Sequence, residues 1–378
     1  MKAAFTPKQR MLAAYRGQPC DRPPVAPEFW YYYPARLLGV DMIAFERDVP
    51  FWLALKHAFE RWSCEGWGAA FADPRIDGVR TRRSEVGIGE GRYRETTVQT
   101  FGGHRFESTK IFDVREPSAV ERYPVRDLEE LPAYLAMALS PEFELDFSAA
   151  VRGHAAVRES YLLEYWLGVP FFDWIAEATG FEGAVLWVTS APEREVEDLQ
   201  ERYLARIIGL LRQAADRTPF ESFAVGCSSS CNSLLGPTLW RKLDKPLLAA
   251  VTREAHRLGK LLHMHFHGRS RETLRDFVQI GADCVCPFER PPGGDIEGAD
   301  GLRAARLALA DAITFNGNVH TVQTLIRGTP EDARREVREI KEAFRGSRRL
   351  IIGTGDQVGA ETPDENIAAM IEEAKAPG

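Results

Sequence analysis

Three histidines alternate along one short run of the chain, at His263, His265 and His267. Side chains two residues apart on a β-strand share a face, so the three imidazoles are expected to point the same way, with neighbouring ones about 6.6 Å apart. His265 and His267, at the C-terminal end of the run, have the spacing to bind one metal ion. His263 lies deeper and is a candidate for proton transfer or for support of the site. Histidines that are only hydrogen-bonded within the core are the alternative.

A carboxylate, Glu289, follows the next predicted strand two residues after Pro287. Proline stops a parallel strand and stiffens the loop after it, which would hold Glu289 near the strand end. A carboxylate held there can bind a metal or transfer a proton, with an ion pair to Arg290 as the alternative. Cys284 and Cys286 share one face of this strand, and a thiolate there can ligate zinc, although buried cysteines are commonly inert.

Further polar groups stand at the ends of other predicted strands. The last two strands end in glycine-containing segments, which let the backbone approach a ligand. The donors there are Asn316, Asn318, His320 and Asp356, of which Asp356 is a candidate metal ligand, with a cap or turn role as the alternative. The first and third strands add Glu28, Trp30, Tyr31, Glu164 and Tyr165, and we interpret these five with the two asparagines as substrate-binding residues. The run Gly226–Cys231 predicts a flexible loop, with an anion-binding turn or a Cys-x3-Cys metal site as alternatives.

The elements that must position these residues repeat one pattern, a short apolar run, a polar turn and a helical segment, which is typical of parallel strands joined by helices. Eight runs are predicted strands: Val25–Trp30, Gly66–Phe71, Ser160–Tyr165, Ser222–Gly226, Lys260–His267, Ala282–Pro287, Ala312–Asn316 and Leu350–Gly353. The predicted helices include Thr6–Arg16, Phe45–Ser63, Asp127–Ala138, Pro141–Val157, Val196–Ala215, Thr238–Leu258, Arg271–Ile280, Gly301–Asp311 and Pro330–Phe344. This pattern predicts an α/β fold, a (β/α)8 TIM barrel with an N-terminal helical extension and its chemistry at the C-terminal strand ends. A doubly wound open sheet is the alternative, but the chain lacks its glycine-rich nucleotide-binding turns.

Between Gly78 and Val114, short alternating runs are separated by glycines, which predicts a β-hairpin insertion. The length of 378 residues lies within the range of one elaborated barrel. We therefore expect a single domain over 1–378 that carries the hairpin over 78–114.

The composition limits the partners and the compartment. Hydrophobic residues make up 44% and charged residues 27%, and the net charge of −7 provides no basic field for nucleic acid or anionic lipid. No stretch approaches the about 20 apolar residues of a membrane span, and the N-terminus lacks the pattern of a signal peptide. Six cysteines in so long a chain do not form a disulfide framework. We expect a cytoplasmic protein that acts on a small molecule, with no nucleic-acid or membrane partner.

Several motifs resemble, in order and spacing, those of the uroporphyrinogen decarboxylase superfamily. They are Arg16-Gly17, Asp21-Arg22-Pro23-Pro24, His256 to Lys260, His265-Phe266-His267-Gly268, Gly281-Ala282-Asp283, Glu289 to Asp295, Gly317-Asn318, Ile351 to Gly355 and Thr362 to Ile367. The match is clearest over 222–375. The resemblance implies a (β/α)8 barrel, and a homodimer is common among such proteins.

Two departures from the superfamily's motifs bear on the activity. True decarboxylases carry Arg-Gln-Ala-Gly-Arg-Tyr after the first strand to bind the acidic arms of the porphyrinogen, whereas this chain reads Glu28 to Tyr33 there. The corrinoid-dependent zinc methyltransferases bind zinc through His-x-Cys-Gly and a later cysteine, and the matching positions here are His265, His267 and Asp356. The resemblance is therefore closer to the methyltransferase branch and implies Zn2+ or another divalent metal on nitrogen and oxygen ligands.

These observations lead to the hypothesis of a metal-dependent methyltransferase or demethylase that moves a methyl group between a small oxygen-linked, aromatic substrate and a corrinoid carrier. Nitrogen and oxygen ligands favour an oxygen donor over a thiol, and Glu289, His320 or His263 would serve in proton transfer. The corrinoid would be bound by a separate partner protein, because the chain lacks the Asp-x-His-x-x-Gly signature of a cobalamin domain. A metal-independent decarboxylase or lyase acting on an aromatic or carboxylated substrate is the alternative, and a ligand-binding barrel without turnover is a third hypothesis.

Overall fold

The computed structural model describes residues 5–141 and 143–377. Its strands are β1 (Val25–Glu28), β2 (Trp67–Ala70), β3 (Asp73–Ile76), β4 (Arg80–Gly89), β5 (Arg92–Phe101), β6 (His104–Asp113), β7 (Ala119–Arg122), β8 (Phe143–Asp146), β9 (Leu162–Gly168), β10 (Ser222–Cys227), β11 (Leu261–Phe266), β12 (Cys284–Pro287), β13 (Thr314–Val319) and β14 (Leu350–Gln357).

The helices are α1 (Pro7–Tyr15), α2 (Tyr32–Leu38), α3 (Met42–Asp48), α4 (Phe51–Trp62), α5 (Leu131–Ala138), α6 (Ser148–Val157), α7 (Phe171–Ser190), α8 (Glu193–Arg217), α9 (Pro237–Leu243), α10 (Lys245–Arg257), α11 (Leu274–Ile280), α12 (Gly298–Leu309), α13 (Pro330–Ala343) and α14 (Asp364–Lys375). Short helical turns of other pitch lie at Leu128–Glu130, Arg271–Thr273 and Thr321–Ile326. Across the described residues, every helix is too short or too polar to cross a membrane.

Eight parallel strands form one sheet, in the order β1-β14-β13-β12-β11-β10-β9-β2. Each predicted barrel strand overlaps one of these eight, and helices separate them along the chain, so the predicted (β/α)8 barrel is confirmed. In the part of the chain that the structure describes, backbone pairing is absent between β1 and β2. Near that gap, the indole rings of Trp30 and Trp67 meet edge to face, with their centroids 5.0 Å apart.

The barrel strands bury both of their faces. On β11, His263 and His265 point inward, while Met264 and Phe266 point outward into the apolar layer between the sheet and the helices. Trp240 on α9 contacts Phe266 edge to face in that layer, at 5.5 Å between ring centroids. The alternation predicted for this strand is therefore confirmed, and it leaves the interior of the barrel polar at this level.

Helix α1 closes the N-terminal end of the barrel. Thr6 caps it, and its side chain accepts a hydrogen bond from the Gln9 amide in a capping box. Thr314 on β13 donates from its hydroxyl to the Ala14 carbonyl at 2.8 Å. The helix thereby brings the fully buried side chain of Tyr15 into the floor of the barrel.

The insertion is larger than the predicted hairpin. Strands β4 to β7 form a four-stranded antiparallel sheet, and β3 pairs with β8 in a separate two-stranded ribbon. The helix predicted over 141–157 is wrong in its first part, because Phe143–Asp146 pair with Asp73–Ile76 before α6 begins at Ser148. Residue 142 of that predicted helix, and residues 1–4 and 378 of the predicted domain 1–378, lie outside the described residues. The single domain itself stays a prediction.

Prolines divide two helices that the apolar pattern predicts as continuous. The segment 45–63 contains the end of α3 and all of α4, which are separated at Val49 and Pro50. The segment 238–258 contains α9 and α10, with Pro246 in the first turn of α10. Proline lacks the amide hydrogen that a continuing helix needs, so the chain starts a new helix at each point.

Candidate active site

The centre of the site is a group of three buried donors at the C-terminal end of the barrel, Glu28, His265 and Cys286. One ligand atom from each lies within 4.8 Å of the other two. Nε2 of His265 is 3.7 Å from Oε1 of Glu28, and its Nδ1 is 3.1 Å from Sγ of Cys286. Carboxylate, imidazole and thiolate are the three protein donors that zinc prefers, and three of them leave a position open for a substrate.

Strand register brings these donors together. His265 on β11 is the direct partner of Cys286 on β12. Glu28 ends β1, where its amide donates to Oγ1 of Thr354 on β14 at 2.9 Å and its register partner is Gln357. Side chains that point inward from the adjacent strands β11 and β12 therefore meet the side chain of Glu28 from β1, which β13 and β14 separate from β12.

An ion pair lies beside the three donors. Nδ1 of His267 is 2.8 Å from Oε1 of Glu289, and the same oxygen accepts the Gly268 amide at 2.9 Å. The rings of His265 and His267 are perpendicular, with centroids 4.4 Å apart. Burial would lower the pKa of His267, but the hydrogen bond to Glu289 and the nearby charge of Asp356 together raise that pKa to about 9. The raised pKa favours the protonated form of His267 at neutral pH in the metal-free protein.

Asp356 lies at the edge of the same site, where its carboxylate accepts the Gln357 amide at 2.6 Å. Burial raises the pKa of Asp356. Burial, followed by the charge of Asp356, raises the pKa of Glu28 to about 8. The two carboxyl groups therefore share an electrostatic environment.

The donor group differs from the metal site expected from the sequence. It shares His265 with that expected site and adds Glu28 and Cys286, while His267 and Asp356 as metal ligands stay predictions. The reason is geometric: His267 lies beyond the end of β11 and turns to Glu289, whereas Cys286 sits level with His265 on the next strand. Glu28, expected among the substrate-binding residues, is a donor of the central group.

A second layer of hydrogen bonds lies beneath the donors. Nδ1 of His263 is 2.8 Å from Oε2 of Glu164, and its Nε2 is 3.0 Å from Sγ of Cys286. The hydroxyl of Tyr15 is 3.1 Å from Nδ1 of His263, and Ser222 donates to Oε1 of Glu164 at 2.6 Å. Glu164 therefore contacts His263, at the floor of the site, and is distant from the barrel mouth where substrate binding was expected.

Aromatic rings form one wall of the site. Trp30 stacks on Phe51 at 5.1 Å and lies 6.0 Å from His265 between ring centroids. Trp166 on β9 lies over Gly226, the register partner of His265, and a Cβ at Gly226 would clash with that indole. Trp30 was expected among the substrate-binding residues, and that role stays a prediction. Phe51 was missed as a site residue, because only the tertiary contacts place it there, and Gly226 was noted only as the end of a predicted strand and the first residue of the loop Gly226–Cys231.

Several predicted site residues lie elsewhere. Tyr165 faces away from the barrel interior and contacts Phe220 and Phe223 in the outer layer, because it alternates with Glu164 on β9. Tyr31 packs on Phe45 and Phe51 at the start of α2. The structure does not bring either phenol to the three donors.

Two of the predicted site residues at the C-terminal end of β13 form hydrogen bonds with the loops. His320 accepts two backbone amides at Nδ1 and donates from Nε2 to the Pro291 carbonyl at 2.9 Å. Asn318 donates to the carbonyls of Phe288 and Ile296 at 3.0 and 2.9 Å. Asn316 remains inside the barrel, buried against Gly353. Their catalytic and substrate-binding roles stay predictions, and the contacts of His320 and Asn318 favour a structural role.

The loop after β10 is held by a buried carboxylate. Asp173 accepts the amides of Ser228, Ser229 and Ser230 at 2.7 to 3.0 Å. These amides are therefore occupied by the protein's own side chain, which argues against the anion-binding alternative for this turn.

Comparisons with known proteins agree with this architecture. A family model described as Uroporphyrinogen decarboxylase (URO-D) matches residues 182–377. A solved methyltransferase from Methanosarcina mazei is 16% identical, with a TM-score of 0.64 and 98% of each chain covered, which shows a shared fold. An uncharacterized protein (13% identity, TM-score 0.27, 44% of each chain) and an amidohydrolase (14%, 0.26, 44% of this chain and 41% of the other) are too dissimilar to carry an argument. No curated protein matches the sequence.

Proposed function

Since this chain belongs to the uroporphyrinogen decarboxylase (URO-D) family, we propose that it is a metal-dependent methyltransferase that moves a methyl group between a small oxygen-linked substrate and a corrinoid carrier. The observation that carries the proposal is the group of Glu28, His265 and Cys286 at the barrel mouth. The methyltransferase of the same fold from Methanosarcina mazei adds support for the type of reaction.

The donor set fits a divalent metal. Each side chain of the group is less than a tenth exposed, so a charged carboxylate or thiolate there needs a positive partner. Zinc ligands of these types lie about 2.0–2.3 Å from the ion, and the three donor atoms, within 4.8 Å of one another, are close enough together to surround one ion. A divalent ion held by Glu28, His265 and Cys286 would supply Lewis-acid polarisation of the substrate's oxygen. Zinc is the default, and iron, cobalt and manganese also accept this set.

The protein's own groups supply the proton and the enclosure. Loss of a methyl group from an ether breaks a C–O bond and leaves an oxyanion, which takes up one proton. His267, held by Glu289 beside the donors, is placed to give that proton. Trp30, Phe51 and Trp166 provide an apolar wall that suits an aromatic ring and excludes water.

Decarboxylation of a polyanionic substrate is the competing function, and the family name favours it. The charges at the barrel mouth argue against it, because the carboxyl groups of Glu289 and Asp356 lie near His267, whose pKa is raised to about 9. Several carboxylates on a substrate would be repelled by this arrangement.

The proposal also includes a partner protein that holds the corrinoid, and assembly of this chain into a homodimer.

The test combines metal content with methyl transfer. Purified protein is assayed for bound metal, then mixed with cobalt(I) cobalamin as methyl acceptor and a panel of methoxylated aromatics. We expect near-stoichiometric metal and the absorbance change of methylcobalamin with at least one substrate, both lost in H265A. H57Q, which changes an exposed histidine on α4, is the matched control and should behave as the wild type. A folded wild-type protein that binds no metal, and forms carbon dioxide from carboxylated aromatics instead, would overturn the proposal.

A further inference from the structure

A buried carboxylate and imidazole lie directly beneath the proposed metal site without being part of it. Glu164 and His263 are both fully buried, on β9 and β11. The proposed chemistry uses neither of them, since they are separated from the barrel mouth by Cys286 and His265. Burial of a carboxylate and an imidazole is costly unless their contacts repay it.

The contacts of Glu164 and His263 lead to one atom, the sulfur of Cys286. Oε2 of Glu164 lies 2.8 Å from Nδ1 of His263, and Nε2, on the opposite side of the ring, lies 3.0 Å from Sγ of Cys286. The imidazole of His263 therefore bridges the Glu164 carboxylate and the Cys286 sulfur, with one ring nitrogen on each. A carboxylate on one nitrogen fixes the orientation of an imidazole and hence the direction of its other nitrogen.

Glu164 is itself fixed from two further directions. Ser222 donates to its other oxygen at 2.6 Å, and the Tyr15 hydroxyl lies 3.4 Å from Oε2. The rings of Trp67 and His263 meet edge to face, with centroids 4.5 Å apart, which restricts rotation of the imidazole. The positions of Glu164 and His263 are thus fixed by Tyr15 at the barrel floor and by two further strands, β10 and β2.

We propose that Glu164 and His263 are positioning residues that hold the Cys286 sulfur in the direction required for metal binding. The proposal rests on the proposed function, because it assumes that Cys286 is a metal ligand. Outer hydrogen-bond partners of metal ligands characteristically fix ligand orientation, and this pair has that arrangement on a thiol. His263 would then act through Cys286 and would not contact the substrate.

The test uses Co2+ as a probe, because a cobalt–thiolate bond gives a near-ultraviolet charge-transfer band, and Cys286 is the thiol of the proposed site. Co2+ affinity and the intensity of this band are measured for the wild type, E164Q and H263Q, with unfolding in urea as a check on the fold. Both variants keep side chains of similar size, and we expect Co2+ affinity to fall about 10- to 100-fold with a weaker or shifted band. S222A, which removes one contact to Glu164, should give a smaller loss, and H57Q should bind as the wild type.

The outcomes separate the two proposals. If the wild type binds Co2+ with the thiolate band and E164Q and H263Q match it in affinity and spectrum, the positioning role is wrong while the metal site stands. Co2+ binding without the thiolate band also overturns the positioning role, since Cys286 is then not a ligand. A wild-type protein that binds no metal overturns the proposed function as well. If E164Q or H263Q does not fold, S222A is used in its place. A Co2+ affinity and a spectrum of S222A equal to those of the wild type would then contradict the positioning role.

Discussion

His267 and Glu289 form an ion pair, 2.8 Å between Nδ1 and Oε1, that joins the C-terminal ends of two adjacent barrel strands. Glu289 was expected to be held near the mouth of the barrel, and the Gly268 amide helps to hold it there. The pair lies at one side of the site and places the imidazole of His267 next to that of His265, one of the three buried donors. Its consequences for stability can be measured without any substrate.

The stability of the metal-free protein should depend on this ion pair at alkaline pH. The pKa of His267 is raised from 6.5 to about 9 in the folded protein. A histidine whose pKa is higher in the folded than in the unfolded protein stabilises the fold when it is protonated. This contribution is complete below pH 6.5, the pKa in the unfolded chain, and is lost as the pH rises through about 9. The contribution is on the order of 2–3 kcal/mol, allowing for partial exposure of the ring.

Urea unfolding at pH 7 and pH 9.5 measures this dependence. The wild type should lose more free energy of unfolding across that interval than E289Q, which removes the carboxylate. Equal losses in the two proteins would contradict the ion pair as the cause.

Substitutions should distinguish the donor group in the structure from the metal site expected from the sequence. If Glu28, His265 and Cys286 hold the metal, C286A and E28Q should each weaken binding by about 100-fold, which corresponds to about 2.7 kcal/mol. D356N should then have a smaller effect, because Asp356 is outside the group. Zinc affinity by competition with a chelating dye checks this. A loss in D356N as large as in C286A would restore Asp356 as a ligand.

The pH dependence of metal binding should follow the protonation of Glu28. Burial and the charge of Asp356 raise the pKa of Glu28 to about 8, so most of the metal-free protein carries a proton there at pH 7. A metal must displace that proton as well as the proton of the Cys286 thiol, whose pKa burial raises, so affinity should rise more steeply with pH below about pH 8 than above it. D356N removes one cause of the raised pKa and should move the rise to lower pH. An unchanged profile in D356N would show that the two carboxyl groups are not coupled.

The barrel and the polar face of β11 are predictable from the sequence, because alternation and the spacing of apolar runs are local properties. The donor group is not, because it depends on the register between β11 and β12 and on which residue of β1 ends level with His265. A shift of one residue would turn Cys286 outward. From the sequence, Cys286 is recognisable only as one of two cysteines, with Cys284, on the same face of a predicted strand.

The misassigned elements have similar physical causes. Tyr165 adjoins Glu164 in the sequence, yet alternation on β9 sends the two side chains to opposite faces. The ribbon of β3 and β8 pairs Asp73–Ile76 with Phe143–Asp146 across the whole insertion, and short strands that pair over such a distance leave little local signal. His320 lies beyond a barrel strand, as expected, but caps the turn that follows.

Gly226 should be required for the aromatic wall of the site. A Cβ added there would overlap the Trp166 indole, and its φ is not positive, so alanine is excluded by space alone. G226A should cost about 1–3 kcal/mol of stability, as overpacked cores do, and should displace the Trp166 indole from its position over residue 226. G209A is the matched control, because Gly209 lies within α8 with open space around it and alanine should stabilise that helix by about 0.5–1 kcal/mol. Urea unfolding and tryptophan fluorescence of both variants measure these effects. If G226A unfolds and fluoresces as the wild type does, Trp166 does not lie against this strand and the wall must be formed by other rings.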